Sequence, residues 1–195
     1  MIMKKLTLIA IAFVTFCVAN AQEMKQGNNF LSVGIGPSAS YWGTYSGGTP
    51  AIRLAFDHGF REVGPGTITL GGALGFFNKY YKSTYWDNNG NIHNYKWSFN
   101  YFSTVFRAGY YYNLSEAGIN NMNVYGGLGI GMLFLSFHDT YDGPDGYIPY
   151  NASSNEFLFN FYAGANYFIT SKTALYLEFG YDISYVTIGA TFKLK

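Results

Sequence analysis

The sequence predicts an all-β protein, a closed antiparallel eight-stranded transmembrane β-barrel with up-and-down topology. Three observations predict it. A two-residue alternation of side chains recurs about eight times, the chain opens with a secretory leader, and charged residues are scarce at 12%. Successive side chains on a strand point to opposite faces, so each segment has one apolar face and one small or polar face. Eight is an even number, as a closed antiparallel barrel with both ends on one side requires.

Residues 1–21 are predicted to form a cleavable signal peptide. An apolar run follows the basic pair Lys4 and Lys5, and residues 19–21 form an A-x-A cleavage signal. The apolar run is too short to span a bilayer comfortably, which favours a leader over a membrane anchor. The one cysteine, Cys17, lies inside this leader, so the mature chain has no disulfide framework.

The mature chain is predicted to have a polar lead-in over residues 22–28 and a barrel domain over residues 29–195. Cleavage removes two of the 12 basic residues and leaves 11 acidic ones, so the net charge becomes −1. This balance excludes a global electrostatic attraction to nucleic acid. Aromatic residues make up 21% of the chain, which suits a surface that meets lipid and its interface.

The first four predicted strands set large apolar residues at one parity against Gly, Thr, Ala or a lone charge at the other. The apolar sets are, in order, Leu31, Val33 and Ile35; Ile52, Leu54 and Phe56; Ile68, Leu70, Leu74 and Phe76; and Phe102, Phe106, Ala108, Tyr110 and Tyr112. Turns rich in Gly, Pro and Asn separate the segments. In the upper part of the fourth strand the bulky residues change parity, which indicates either a bulge or a stretch beyond the bilayer.

The last four predicted strands repeat this pattern. Their apolar sets are Val124, Leu128, Ile130, Met132 and Phe134; Phe157, Phe159, Phe161, Ala163 and Tyr167; Leu175, Leu177, Phe179 and Tyr181; and Val186, Ile188, Ala190, Phe192 and Leu194. The connections after the second, fourth and sixth strands are predicted to be compact, and those after the first, third and fifth to be larger. Outer-membrane barrels have compact turns on the periplasmic side and longer loops outside. The link at residues 182–183 is very short for an outer loop.

The second face decides between a membrane barrel and a soluble ligand carrier. A soluble eight-stranded barrel would turn Leu and Phe inward and show Lys and Glu to water. Here the second face is mostly Gly, Thr, Ala and Asn, which suits a crowded interior. Closure of the ring also pairs every backbone polar group, as bilayer hydrocarbon demands. The sequence therefore predicts a barrel in the cell outer membrane, with lipid against its Leu and Phe face.

The chain from about residue 29 to residue 195 resembles the small eight-stranded outer-membrane barrels, the group that contains OmpX-like proteins and the transmembrane domain of OmpA. The likeness is carried by the architecture and by the last strand, SYVTIGATFKLK over residues 184–195. That strand is similar to the C-terminal signal read by the barrel-insertion machinery, although the usual signal ends in an aromatic residue. The resemblance implies a porin-family barrel of a Gram-negative cell envelope and the insertion machinery as a partner.

Four charged residues fall on the inward parity of the predicted strands: Arg53, Asp57, Arg107 and Glu178. Unpaired charges in a narrow lumen are costly, so these four are expected to pair with one another. One hypothesis is a gate or a proton path. The favoured hypothesis is a structural ion-pair network that plugs the lumen, as the resemblance to OmpA-type barrels implies. Eight strands leave no continuous pore.

Ser136 and His138 lie two apart on the predicted lipid-facing parity, and Glu156 on the next strand is a candidate to orient the imidazole. A Ser–His pair is the core of many acyl hydrolases. The order here is reversed relative to the His-x-Ser of outer-membrane acyl hydrolases, and no oxyanion hole is evident. The alternative is a polar rim where the strand leaves the bilayer, so no catalytic residue is predicted.

No metal or cofactor site is predicted. Asp87, Asn89 and Asn91 have the spacing that opens a calcium loop, but the later bidentate Glu is missing. A loop bearing Asp139, Asp142 and Asp145 reads more simply as a solvated loop. The three histidines His58, His93 and His138 lack metal-ligand spacing.

Aromatic and basic residues cluster at the top of the third and fourth predicted strands, with Lys79, Tyr80, Lys82, Trp86, Lys96 and Trp97 as the candidate surface-contact residues. Two interpretations stay open. A protruding strand pair could offer a free edge to an extracellular protein partner. Alternatively, an aromatic girdle could place its lysines against lipopolysaccharide phosphates.

The sequence as a whole predicts a monomeric, non-enzymatic outer-membrane barrel with a plugged lumen, serving surface interaction or envelope integrity. Its expected partners are outer-membrane lipid and lipopolysaccharide, with no nucleic acid and no cofactor. A lipid-modifying acyl hydrolase that uses Ser136 and His138 is the first alternative. A small-solute channel is the second alternative, disfavoured by size.

Overall fold

The structure is a computed structural model that describes residues 23–39, 45–86, 90–119, 121–141 and 148–194. The predicted leader lies outside these residues. The described strands are β1 (Asn29–Gly36), β2 (Gly47–Gly48), β3 (Ala51–Val63), β4 (Gly66–Trp86), β5 (Ile92–Asn113), β6 (Met122–Tyr141), β7 (Asn151–Phe168), β8 (Thr173–Tyr181) and β9 (Val186–Lys193). A 3₁₀ helix, η1 (Leu114–Ala117), connects β5 to β6. Over the described residues, helices long and apolar enough to cross a bilayer are absent.

Eight of the strands form a closed ring in the order β4-β3-β1-β9-β8-β7-β6-β5, and β5 pairs back onto β4. Every pairing in the ring is antiparallel, and the seam that closes it joins β1 to β9. The two residues of β2 lie outside the ring and pair with Tyr80 and Lys79 of β4. The predicted closed, eight-stranded, up-and-down barrel is confirmed.

The two-residue alternation places side chains on the faces that the sequence predicts. Arg107 is 1% exposed inside the ring, whereas its neighbour Phe106 is 59% exposed outside. The last strand behaves in the same way, since Thr187 and Thr191 are buried and Ile188 is exposed. The exterior therefore carries a band of exposed Val, Ile, Leu and Phe side chains around the barrel.

Two explanations were open for the change of parity in the upper part of the fourth barrel strand, a bulge or a stretch beyond the bilayer, and the bulge is wrong. This strand, β5, keeps one unbroken register with β4 and with β6 over its whole paired length. Tyr95 and Trp97 share the inward parity of buried Tyr101, so the bulky residues occupy the inner face without any change of register. The structure instead has a register shift in β3, between Gly59 and Arg61.

Inward side chains fill the ring in layers above and below a charged middle. One layer lies at the end of the barrel that carries the β3–β4, β5–β6 and β7–β8 connections, here called the side of the short turns. It contains Met24, Phe30, Tyr111, Tyr125, Tyr162, Phe168 and Ala174. The opposite layer contains Ala51, Ala55, Ala73, Phe77, Tyr101, Val105, Leu133, Leu158 and Ile183. Small inward residues make room for these rings, because an added Cβ at Gly164 would lie 2.7 Å from the Tyr125 hydroxyl.

The lead-in over residues 23–28 folds across the mouth of the barrel on the side of the short turns. The Met24 side chain is fully buried in the adjacent layer, and its carbonyl accepts a 2.6 Å hydrogen bond from the Thr67 hydroxyl. Glu23 accepts a hydrogen bond from the Ser115 hydroxyl and lies 3.0 Å from the Lys25 ammonium group. The Ser115 bond lowers the pKa of Glu23 below its usual value. The polar lead-in therefore carries one apolar side chain that closes this end.

The two ends of the barrel differ because the strands differ in length. β1, β8 and β9 have 8, 9 and 8 residues, while β4, β5, β6 and β7 have 21, 22, 20 and 18. The prediction of a compact connection after the fourth barrel strand is wrong, since residues 114–121 outnumber residues 87–91 after the third. β4 and β5 therefore extend far beyond the short strands of the ring, although the connection between them is only residues 87–91.

Candidate functional site

The candidate site is the part of the sheet that extends beyond the ring, here called the upper sheet. It comprises residues 78–86 of β4, 92–100 of β5, 134–141 of β6 and 151–157 of β7, which continue beyond the buried layer that contains Phe77 and Leu158. The pairing of β3 with β4 ends at Ile52↔Phe76, and that of β8 with β7 ends at Phe161↔Tyr181. Above these pairs, the described residues contain no barrel strand that faces the upper sheet.

Aromatic side chains cover the inner face of the upper sheet. The Trp97 ring lies 5.5 Å from the Tyr81 ring and 5.6 Å from the Tyr95 ring, measured between ring centroids. The Tyr85 and Tyr141 rings stack at 6.2 Å with an interplanar angle of 8°, and their hydroxyl groups bond to each other. Such ring pairs stabilise the sheet beyond the contribution of the apolar area that they bury, and they hold the projecting strands together.

The outer face of the upper sheet is polar and basic. Lys82 and Lys96 are directly opposite each other across β4 and β5. Both ammonium groups lie over the ring of Tyr80, at 5.3 Å and 5.2 Å from its centroid. Like charges at directly opposed positions repel, and the face of an aromatic ring attracts cations. This arrangement leaves two cations focused on one spot of the outer face.

The six predicted surface-contact residues do not form one cluster. Tyr80, Lys82 and Lys96 meet on the outer face, where Trp86 is also 70% exposed nearer the tip. Trp97 lies on the inner face, as its contacts with Tyr81 and Tyr95 show. Lys79 also has inward parity, and its ammonium group lies 5.7 Å from the centroid of the Tyr45 ring. Successive residues of a strand point to opposite faces, so neighbours in sequence such as Lys96 and Trp97 lie on different faces of the sheet.

The two edges of the upper sheet differ. On the β4 edge, the Ser46 amide donates to the Tyr80 carbonyl at 2.9 Å, and the Lys82 amide donates to the Ser46 hydroxyl at 2.9 Å. The Thr49 amide donates to the Asn78 carbonyl at 2.9 Å. Residues 46–49 thus occupy the lower half of that edge. On the β7 edge, residues 151–159 pair with β6 on one side, and no described strand pairs with the other side.

The four charges predicted for the lumen come together in one buried network. The Arg107 guanidinium lies 3.1 Å from Asp57 and 3.1 Å from Glu178, and Arg53 lies 2.7 Å from Glu178. A fifth member, Asp182, lies 3.5 Å from Arg53. All five side chains are at most 4% exposed. Among the described residues of this network, two arginines therefore face three carboxylates.

Tyr111 and Tyr162 also contact this network. The Tyr111 hydroxyl donates to Asp57 at 2.9 Å, and the Arg107 guanidinium carbon lies 3.7 Å from the centroid of the Tyr162 ring. Sequence reasoning missed Asp182, which lies in the link between β8 and β9. The sequence does contain a sign of its role, because Asp182 is an acidic residue in a link that is too short to form an outer loop. The link turns inward, and Ile183 next to it is fully buried.

The group of Ser136, His138 and Glu156 that the acyl hydrolase alternative requires is not assembled. Ser136 and His138 are exposed on the outer face, and the His138 ring bonds to the side chain of Asn151. The suggestion that Glu156 orients His138 is wrong. Glu156 is opposite Leu133, whereas His138 is opposite Asn151. Glu156 therefore has the inward parity and lies five residues away from His138 along the strands.

Within the described residues, no group of three or more His, Cys, Asp or Glu side chains is placed to hold a metal ion. Asp87, Asn89, Asp142 and Asp145, which belong to the two loops weighed as cation sites, lie outside those residues.

Comparisons with protein families and with curated proteins found no match. Among solved structures, the chain is similar to Ail, the attachment invasion locus protein of Yersinia pestis. One Ail crystal structure, in complex with the heparin analogue sucrose octasulfate, has 15% sequence identity and a TM-score of 0.47, with 86% of this chain and 95% of that chain covered. The backbone structure of Ail in a phospholipid bilayer nanodisc has 15% identity and a TM-score of 0.41, with coverages of 87% and 100%.

Proposed function

We propose that this protein is a non-enzymatic β-barrel of the outer membrane and that it makes surface contacts through its upper sheet. One observation carries the proposal. Four long strands continue past the closed ring and present an aromatic inner face. The Tyr45 ring covers its lower part, 5.8 Å from the Phe99 ring, and no described barrel strand covers the rest. Exposed aromatic surface is costly to maintain in water unless it meets a partner. Extracellular protein is the partner class that such a sheet suits best.

The membrane location is supported by the exterior of the ring. The large apolar side chains exposed there include Val33, Ile35, Ile52, Leu54, Phe56, Leu74, Phe76, Phe106, Leu128, Ile130, Phe159, Leu177 and Ile188. Closure satisfies the backbone between strands, which hydrocarbon requires. Outer-membrane barrels place their short turns in the periplasm, so the upper sheet would project from the cell. Export would use the predicted signal peptide over residues 1–21, and assembly the insertion machinery.

The proposal includes a lumen closed by its own side chains. The Arg107 network occupies the middle of the ring, with a packed apolar layer on each side. Eight strands enclose an interior only wide enough for such filling, which argues against the small-solute channel. A closed lumen also suits a role in envelope integrity. The acyl hydrolase is disfavoured because Glu156, the carboxylate considered as the orienting group, has inward parity, whereas Ser136 and His138 face outward.

The proposal predicts that shortening the upper sheet abolishes surface contact but not assembly. The variant deletes residues 84–94 and joins Ser83 to Tyr95 through Asn-Gly. Ser83 and Tyr95 are opposite each other, so a two-residue turn can connect them. Bacteria that display this variant should bind immobilised extracellular-matrix protein no better than bacteria without the barrel. Both proteins should reach the outer membrane in equal amounts, as surface labelling would measure.

The matched control is Lys172→Ser, a change in the turn after β7 at the opposite end of the barrel, which should leave binding unchanged. Full binding by the shortened variant would contradict the proposal. Loss of barrier function against detergent with unchanged binding would also contradict it, in favour of an envelope role.

A second candidate function, recognition of lipopolysaccharide, is favoured by the Lys82 and Lys96 pair on the outer face. Two cations over one tyrosine ring form an anion site, since phosphate neutralises the repulsion between them. Because both residues lie on the outside of the barrel wall, a membrane lipid could reach them from the side. This candidate is compatible with contacts made by the inner face.

We expect Lys82→Gln/Lys96→Gln to weaken binding of bisphosphorylated lipid A about 30-fold, since each lysine near an anionic surface contributes about 1 kcal/mol. Binding would be measured by titrating lipid A into the protein in phosphatidylcholine nanodiscs. Lys79→Gln/Lys172→Gln removes the same charge from other places and should leave the affinity unchanged. Equal losses in the two double variants would show a general charge effect and remove this candidate.

A further inference from the structure

We propose that Tyr85 and Tyr141 form a site of oxidative modification, at which hydrogen peroxide, acting through a haem peroxidase, joins the two rings as dityrosine. The new carbon–carbon bond links β4 to β6 across β5, near the tip of the upper sheet. The proposal goes beyond the proposed function, because it holds whatever partner the upper sheet contacts. It rests on the geometry of one cluster of rings and on its exposure.

The two phenols are brought side by side by strands that are not neighbours in the sheet. Tyr85 is opposite His93 on β5, and Tyr141 is opposite Tyr95, two residues along the same strand. The Tyr85 and Tyr141 rings are 6.2 Å apart between centroids and 8° from parallel, and their hydroxyl groups bond to each other. The unbroken register of β5 with both strands fixes this placement, so the two rings meet without any rearrangement of the backbone.

Hydroxyl contact is the arrangement that phenol coupling needs. A tyrosyl radical carries unpaired electron density on the two carbons ortho to its oxygen, and these carbons are the ring positions nearest the bonded hydroxyl groups. Holding the reacting groups together in the folded chain favours coupling of this pair over encounters between separate molecules. The bond between the hydroxyl groups therefore marks Tyr85 and Tyr141 as the partners.

The reaction balances with one molecule of peroxide. Each phenol gives up one electron and one proton, and the two radicals form one carbon–carbon bond between ortho positions. The ortho hydrogen of each ring then moves to the oxygen as a proton, which restores both phenols. Hydrogen peroxide accepts the two electrons and two protons through the peroxidase and leaves as two molecules of water.

His93 supplies a base beside both rings. Its ring centroid is 5.3 Å from that of Tyr85 and 6.0 Å from that of Tyr141. A phenol loses an electron more readily when a nearby base takes its proton, and a neutral imidazole is such a base near pH 7. The cluster thus combines two coupling partners with a group that eases their oxidation.

Exposure distinguishes this pair from another pair of bonded tyrosine hydroxyls. The Tyr45 and Tyr101 hydroxyl groups are 3.2 Å apart, but Tyr101 is 3% exposed and belongs to a buried layer of the barrel. Tyr85 is 39% exposed, one residue before the end of β4. An oxidant that arrives from water therefore reaches Tyr85 more easily than Tyr101.

Peroxidase treatment of the full chain in nanodiscs tests the proposal. The chain is treated with a haem peroxidase and hydrogen peroxide, and dityrosine is detected by its fluorescence and by mass spectrometry of tryptic peptides. Trypsin cuts after Lys and Arg, so the bond should join peptides 83–96 and 108–172, with a loss of two hydrogens from their combined mass. The heated, oxidised chain should also migrate faster in a denaturing gel, because residues 85–141 then form a closed loop.

Single hydroxyl deletions make the test specific. Tyr85→Phe and Tyr141→Phe should each abolish the linked peptides. Tyr95→Phe is the matched control, because the Tyr95 ring lies in the same cluster, 6.1 Å from Tyr85 and 6.3 Å from Tyr141, and it should leave the link intact. The gel mobility of unheated, untreated samples verifies that each variant has folded.

Three results would overturn the inference. A link that survives Tyr85→Phe, or that disappears in Tyr95→Phe, would assign the coupling to a different pair. Links found only between separate chains would show that the contact within one barrel does not direct the reaction. Oxidation of Trp97 without any link would show that the oxidant attacks the neighbouring indole instead of coupling the two phenols.

Discussion

Replacing Arg107 by alanine is expected to lower the free energy of unfolding by about 3–5 kcal/mol, the usual cost of removing one partner from a buried ion pair. Arg107 lies 3.1 Å from both Asp57 and Glu178 and is 1% exposed. Without it, three buried carboxylates face the single cation of Arg53. In a filled lumen, this excess buried charge is costly because little water can solvate it.

Urea unfolding of the refolded barrel in lipid vesicles would measure this effect, and planar-bilayer recording would measure conductance. The control is Arg61→Ala, an exposed arginine on β3 whose loss should change stability little. The triple variant Asp57→Asn/Arg107→Met/Glu178→Gln leaves Arg53 paired with Asp182 and should recover most of the loss, because no buried charge is then uncompensated. A large conductance in Arg107→Ala with unchanged stability would contradict the structural interpretation and favour a gate.

Replacing Gly189 by valine is expected to prevent the barrel from closing. Gly189 of β9 is opposite Gly34 of β1, at the seam of the ring. A Cβ at Gly189 would lie 2.0 Å from the Val33 carbonyl oxygen and 2.8 Å from a ring carbon of Tyr176. The backbone of β1 cannot yield without breaking the seam. Overpacking of this kind costs about 3 kcal/mol or more, about a 100-fold shift in the folding equilibrium.

The gel mobility of unheated samples after refolding into vesicles measures the closed fraction. Ala190→Val is the matched control, since Ala190 is the next residue and faces outward at the same seam, opposite Val33. It should close as well as the parent chain. Equal closure of Gly189→Val and Ala190→Val would show that the seam tolerates a side chain on either face.

The sequence predicted only in part which side chains meet in the lumen and in the upper sheet, and particular residues show why. The alternation placed Arg53, Asp57, Arg107 and Glu178 on the inner face, and the structure joins all four. Alternation contains no information on the height at which residues of different strands meet. Glu156 therefore looked close to His138 in sequence but lies five residues away and on the opposite face.

The sequence by itself determined the ring, its faces and the small residues within it, because the period of a strand is two and each apolar face needs lipid. Only the tertiary structure decided the register between strands. Register brought Asp182 into the network and kept Tyr95 and Trp97 on the inner face. It also left the β7 edge without a described partner strand, while residues 46–49 pair with the lower half of the β4 edge. These outcomes depend on hydrogen bonds and packing between segments distant in the chain, which a local pattern does not encode.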